Sequence, residues 1–173
     1  MDEDLITEPA DRRALPFAEQ LVLWALRLSV VGLKTGAPVD HPVQLAFRKV
    51  GAEAAAERIS LLTRIVGFGA ERRVQIGVPC AFTVTADERR ILDMVAIGQL
   101  GRAGGAGGTV SGTLMLRDML SPAACRAAAG LCAELGGMLG RAGVVLPSPQ
   151  RPPRPLPAPA NASGVGLVRA ARS

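Results

Sequence analysis

The chain has no tyrosine, one tryptophan and one histidine, and aromatic residues make up only 3% of it. A core this poor in rings, filled with alanine, leucine and valine, is built more readily from close-packed helices than from strands. The missing tyrosines also remove a base-stacking platform, and no RNA-module signature accompanies them. A single histidine, His41, argues against zinc or di-iron sites that use several imidazoles. Any Ser-His-Asp or Cys-His enzyme would have to use that residue, yet no G-x-S-x-G elbow or other nucleophile motif accompanies it. Three cysteines are an odd number and argue against a disulfide framework. The acidic N-terminus does not resemble a signal peptide. These features predict a reducing, cytoplasmic setting. Lysine is scarce, two against eighteen arginines, a bias that fits a GC-rich bacterial genome better than selection for phosphate binding.

The chain's 173 residues, 49% of them apolar, suffice for one domain with a core. The net charge of +5 is unevenly spread. Residues 1–14 hold Asp2, Glu3, Asp4, Glu8 and Asp11 and read as a flexible acidic arm. Residues 147–173 hold Arg151, Arg154, Arg169 and Arg172 without an acid, and read as a disordered Pro/Ala/Arg-rich tail. Between them, residues 15–146 are expected to form a single helical domain.

The stretch Pro16–Leu33 is apolar on nearly all sides and predicts a central helix, with Phe17, Leu21, Trp24, Leu28 and Val31 along one face. Glu19, Gln20 and Arg27 interrupt it and disfavour a membrane span. Trp24 is expected to anchor the core, at ~3–5 kcal/mol on truncation to alanine. Gly36 and Pro38 end that helix. A long second helix is expected from about Pro42 to Gly67, with Val43, Phe47, Val50, Ala54, Leu61, Ile65 and Phe68 facing inward, although the pattern skips a turn between Ala54 and Leu61. Val74, Ile76 and Val78 alternate like a strand but have no partner strand, and predict an extended connection across the bundle. Thr85-Ala86-Asp87-Glu88 is a capping box that opens a third helix to about Leu100. A short helix is expected at Thr113–Leu120, and Ser121-Pro122 start a last one to Ala142. The fold expected is an all-α bundle of four or five helices with an extended connection and a Pro-rich tail.

The glycine loop Gly101–Gly112 lacks the lysine of a P-loop, and neither its spacing nor a preceding strand fits a dinucleotide fingerprint. Cys125 and Cys132 stand two helical turns apart, ~10 Å, too far to share one metal ion, and read as small buried apolar residues. Cys80, in the extended connection, is the candidate reactive thiol. Glu53 and Glu57 share a helix face with Lys49 and Arg58, which accounts for them as solvated pairs. No catalytic, cofactor or metal site is read from the chain. The doublets Arg72-Arg73 and Arg89-Arg90, with Arg151 and Arg154, are the candidate basic surface, and Trp24 the candidate apolar contact. A helix-turn-helix is not expected, because the segment that would be its second helix, TLMLRDML, is apolar.

The function expected is a non-catalytic interaction or regulatory module of a bacterial cytoplasm, bound to a protein partner or to a second copy. The alternatives are a nucleic-acid-binding accessory protein and a peripheral membrane-associated protein.

Overall fold

Periodicity and caps become a one-turn 3-10 helix at Arg12–Ala14 and five α-helices of ten residues or more, with residues 113–115 also helical and no strand among the described residues. The computed structural model describes residues 11–104 and 113–149. The first ten residues of the expected arm, residues 105–112 of the glycine loop and the tail from residue 150, with Arg151 and Arg154, lie outside the described residues. The helices are α1 (Phe17–Thr35), α2 (Asp40–Lys49), α3 (Ala54–Gly69), α4 (Ala86–Gly104) and α5 (Pro122–Arg141). None among the described residues is long and apolar enough to cross a membrane.

The capping chemistry is formed. Gly36, at φ 71°, takes the left-handed conformation that ends α1 and donates its N–H to Gly32 O. Thr85 Oγ1 accepts from the Glu88 N–H at 3.1 Å, while Glu88 Oε2 accepts from the Thr85 N–H at 2.8 Å. Ser121 accepts from the Ala124 N–H ahead of α5, with Pro122 in its first turn. Beyond α5, Val144 and Leu146 are buried, and the Gln99 side chain holds them by accepting from the Leu146 N–H and donating to Val144 O.

The expected long second helix is two helices. Gly51, at φ 74°, breaks it, and the turn from Val50 to Glu53 restarts the helical phase. The inner face of α3 is therefore Ala55, Ala56, Ile59, Leu62, Thr63 and Val66. Leu61 and Phe68, expected inside, are exposed, as is Ala54, and Ile65 is half-buried. The skipped turn in the pattern was this break.

The inner face of α1 also differs from expectation. Leu21, Val22, Leu23, Ala25, Leu26 and Arg27 are buried, whereas Phe17 is 63% exposed and Trp24, Leu28 and Val31 are half-buried. A helix apolar all round carries no phase information, so periodicity alone could not orient it. Trp24 packs at the margin of the core, and its truncation costs correspondingly less than a buried tryptophan would.

The most extensive helix contact is between α4 and α5 rather than around α1. Its closeness depends on two glycines. A Cβ at Gly98 would stand 2.5 Å from Cys132 O and 2.6 Å from Ala133 Cα, and one at Gly136 2.5 Å from Gln99 N. α3 covers α5 as well, and α1 packs on α3, α2 and α4. The segment between α3 and α4 runs extended, with Val74 and Ile76 half-buried on the core. Residues 11–14, expected in the flexible arm, lie against this segment, where the Arg12 N–H donates to Phe82 O and the Arg13 guanidinium sits 4.0 Å from the Phe82 ring centre.

Candidate functional site

An arginine inside an apolar helix must find an anion, and Arg27 finds Glu88, 61 residues away. Both side chains are 0% exposed. Arg27 Nε and Nη2 donate to Glu88 Oε1 and Oε2 at 2.7 and 2.9 Å, and Nη1 and Nη2 also donate to the carbonyls of Ala81 and Thr83. Glu88 accepts two further bonds, from the N–H groups of Gly77 and Thr85. Burial pushes the Glu88 carboxyl up, but the hydrogen bonds from Arg27, Thr85 and Gly77 outweigh it and leave it below the ordinary glutamate value. The group ties α1, the extended segment and the start of α4 together, and its polar atoms are occupied by one another. It is a lock on the fold.

Three of the four doublet arginines, Arg72, Arg89 and Arg90, pair with carboxylates. Arg72 forks onto Asp87 through Nη1 and Nη2 at 2.9 and 2.7 Å. That hydrogen bonding to Arg72, opposed by burial and helped by the Gln75 N–H, holds Asp87 below the usual aspartate value. Arg90 pairs with Asp118 at 2.6 Å, and Arg89 with Glu19 and Asp93. Burial raises the Asp93 carboxyl despite Arg89. Arg73 is exposed, and its carbonyl accepts from Arg72 Nη1.

The other residues singled out from the sequence are dispersed. Cys80 is exposed, whereas Cys125 and Cys132 are buried, the thiol of Cys132 being pushed by burial up to about 12. His41 is exposed at the start of α2. Glu53 precedes α3 and pairs with Arg48, while Glu57 lies 3.5 Å from Arg58, so the two carboxylates do not act together. Trp24 lies on α1, away in sequence and element from the doublets.

Two features were not anticipated. Leu61, Ile65 and Phe68 form a second apolar stripe on α3 beside its buried face; Ile65 is half-buried against the core, whereas Leu61 is exposed and Phe68 is 81% exposed. A cleft of about 220 Å³, with a mixed polar and apolar lining, also opens where the end of α1, the loop to α2 and the middle of α3 meet. No family model, curated protein or solved structure matches this chain. The functional reading therefore rests on these surfaces. The stripe was legible as a period of four and three residues, but the misplaced phase assigned it to the core. The cleft draws on three separate segments and leaves no local signature.

Proposed function

We propose that the protein is a non-catalytic interaction module of a bacterial cytoplasm that docks a protein partner on the outer face of α3. The observation that carries this reading is the stripe Leu61, Ile65 and Phe68, at positions i, i+4 and i+7 of a helix already anchored by Ile59, Leu62 and Val66. An apolar face left on a helix whose other face is buried is suited to receive an amphipathic helix of a partner. The nucleic-acid alternative draws less support, since Arg72, Arg89 and Arg90 are already held by carboxylates. A membrane-surface role through α1 would require withdrawing its nine buried residues from the core.

The test is affinity purification from the native bacterium, with nuclease treatment, of the wild type and of Phe68→Glu. The expected result is a stoichiometric protein that survives nuclease and moderate salt and is lost in Phe68→Glu, while the melting temperature is unchanged because the site is exposed. Recovery of the same proteins by both forms, or only of material that nuclease removes, contradicts the proposal.

A further inference from the structure

The cleft beside α3 is lined by Ser29 of α1, Gly36 of the loop, Asp40 of α2, and Ser60, Thr63 and Arg64 of α3, among others. It brings together a cation, an anion and three hydroxyl groups. Arg64 is exposed and makes no hydrogen bond or ion pair among the described residues. Asp40, itself exposed, lines the same cleft and among the described residues receives only the Ser60 hydroxyl, at 3.3 Å. One cation and one anion thus share a cleft without pairing with each other.

The hydroxyls have defined roles. Thr63 Oγ1 donates to Ile59 O at 2.9 Å, and Ser60 donates to Asp40, so both keep lone pairs for a donor. Ser29 is 6% exposed, and its hydroxyl is a buried side-chain oxygen without a hydrogen-bond partner among the described residues. Leaving such a group unpaired costs stability, so its presence in the wall of this cleft requires an explanation. The loop is folded tightly here, because a Cβ on Gly32 would collide with Val39.

We propose that this cleft binds a free α-amino acid, with the carboxylate on Arg64, the ammonium group on Asp40 and the Ser60 and Thr63 oxygens, and the Ser29 hydroxyl as an additional contact. The volume agrees with that class. At about 220 Å³ it falls below the roughly 300–1,000 Å³ of sites for larger ligands, which restricts the occupant to a small molecule. A carboxylate or an amine alone would engage one of the two charges and leave the other to water. This site is independent of the apolar stripe and does not rest on it.

The experiment is titration of the full-length, isotope-labelled protein with each proteinogenic L-amino acid separately, followed through the amide resonances of Gly32, Gly36, Thr63 and Arg64. Each amino acid is compared with its N-acetyl and its amide derivative, and with acetate. At least one amino acid is expected to give saturable shifts, and both of its derivatives to bind about tenfold or more weakly. Arg64→Gln and Asp40→Asn are expected to lose binding to the same degree, with Arg64→Gln keeping the wild-type melting temperature. Ser29→Ala is expected to melt at or above the wild-type temperature and still bind more weakly, a combination that general destabilisation would not produce. Absence of saturable shifts with every amino acid overturns the proposal. So does binding by acetate as tight as by the amino acid, or binding undiminished in Arg64→Gln.

Discussion

Replacing Arg27 by methionine probes what holds the extended segment to the bundle. The guanidinium donates four hydrogen bonds of 2.6–2.9 Å, two to Glu88 and two to backbone carbonyls. Methionine fills much of the stem volume but leaves Glu88, at 0% exposure, with only the N–H groups of Gly77 and Thr85. Removing one partner of such a buried pair costs about 3–5 kcal/mol, a large part of the ~5–15 kcal/mol available to a domain. The pH dependence also changes sign. In the wild type Glu88 lies below its ordinary value, so its contribution is complete above the unfolded glutamate pKa of about 4.3 and is lost as pH falls through the lower folded value. Without Arg27, burial dominates and the folded pKa rises above the unfolded one. Arg27→Met is then expected to gain stability, relative to wild type, as pH falls from 7 toward about 5. Urea unfolding followed by circular dichroism across this range measures both effects. In the double variant Arg27→Met/Glu88→Leu the loss is expected to fall short of the sum of the single losses by roughly 1–3 kcal/mol. It stays below wild type because Gly77 and Thr85 lose their acceptor. A cost under about 1 kcal/mol for Arg27→Met, with an unchanged pH profile, would place the pair among ordinary surface ion pairs and refute the reasoning.

Further outcomes follow from the packing and the ion pairs. Gly98→Ala pushes a methyl into the backbone of α5 and is expected to cost at least ~1–3 kcal/mol by urea unfolding, whereas Gly130→Ala, with nothing within 4 Å of its Cβ, is expected to be neutral or stabilising. Asp87 is depressed mainly by its hydrogen bonds to Arg72, so its contribution is lost as pH falls below the aspartate range of about 3.9, and Asp87→Asn should flatten the acid limb of the stability curve. Asp93 is raised and works in the opposite sense, favouring the folded state as it takes up its proton. A thiol reagent should label Cys80 in the native protein, and Cys125 and Cys132 only in denaturant, which counting of labelled thiols by mass spectrometry checks directly.

Local chemistry was legible in the sequence where a motif closes on itself. The Thr85–Glu88 capping box, the Ser121-Pro122 start of α5, the Gly36 stop and the burial of Cys125 and Cys132 on one face of α5 all depend on neighbours within one or two turns. Phase was lost where the pattern was continuous or interrupted. The apolar girth of α1 hid which side faces the core, and one glycine, Gly51, turned an expected long helix into two with different inner faces. Arg27 carried a signal, since a charge within an apolar run needs a buried anion, but periodicity cannot indicate which carboxylate 61 residues away supplies it. The arginine doublets invited a phosphate-binding reading because their carboxylate partners Asp118 and Glu19 are also distant in sequence. The cleft at Ser29, Asp40 and Arg64 exists only after three segments have come together.

The docking surface on α3 is tested most directly by placing a photoreactive amino acid at position 68, and separately at exposed Val145 beyond the end of α5, and irradiating cells that produce the protein. Docking on the outer face of α3 predicts one dominant protein adduct from position 68 that is absent from position 145. No adduct at position 68, or the same adducts at both positions, would contradict it.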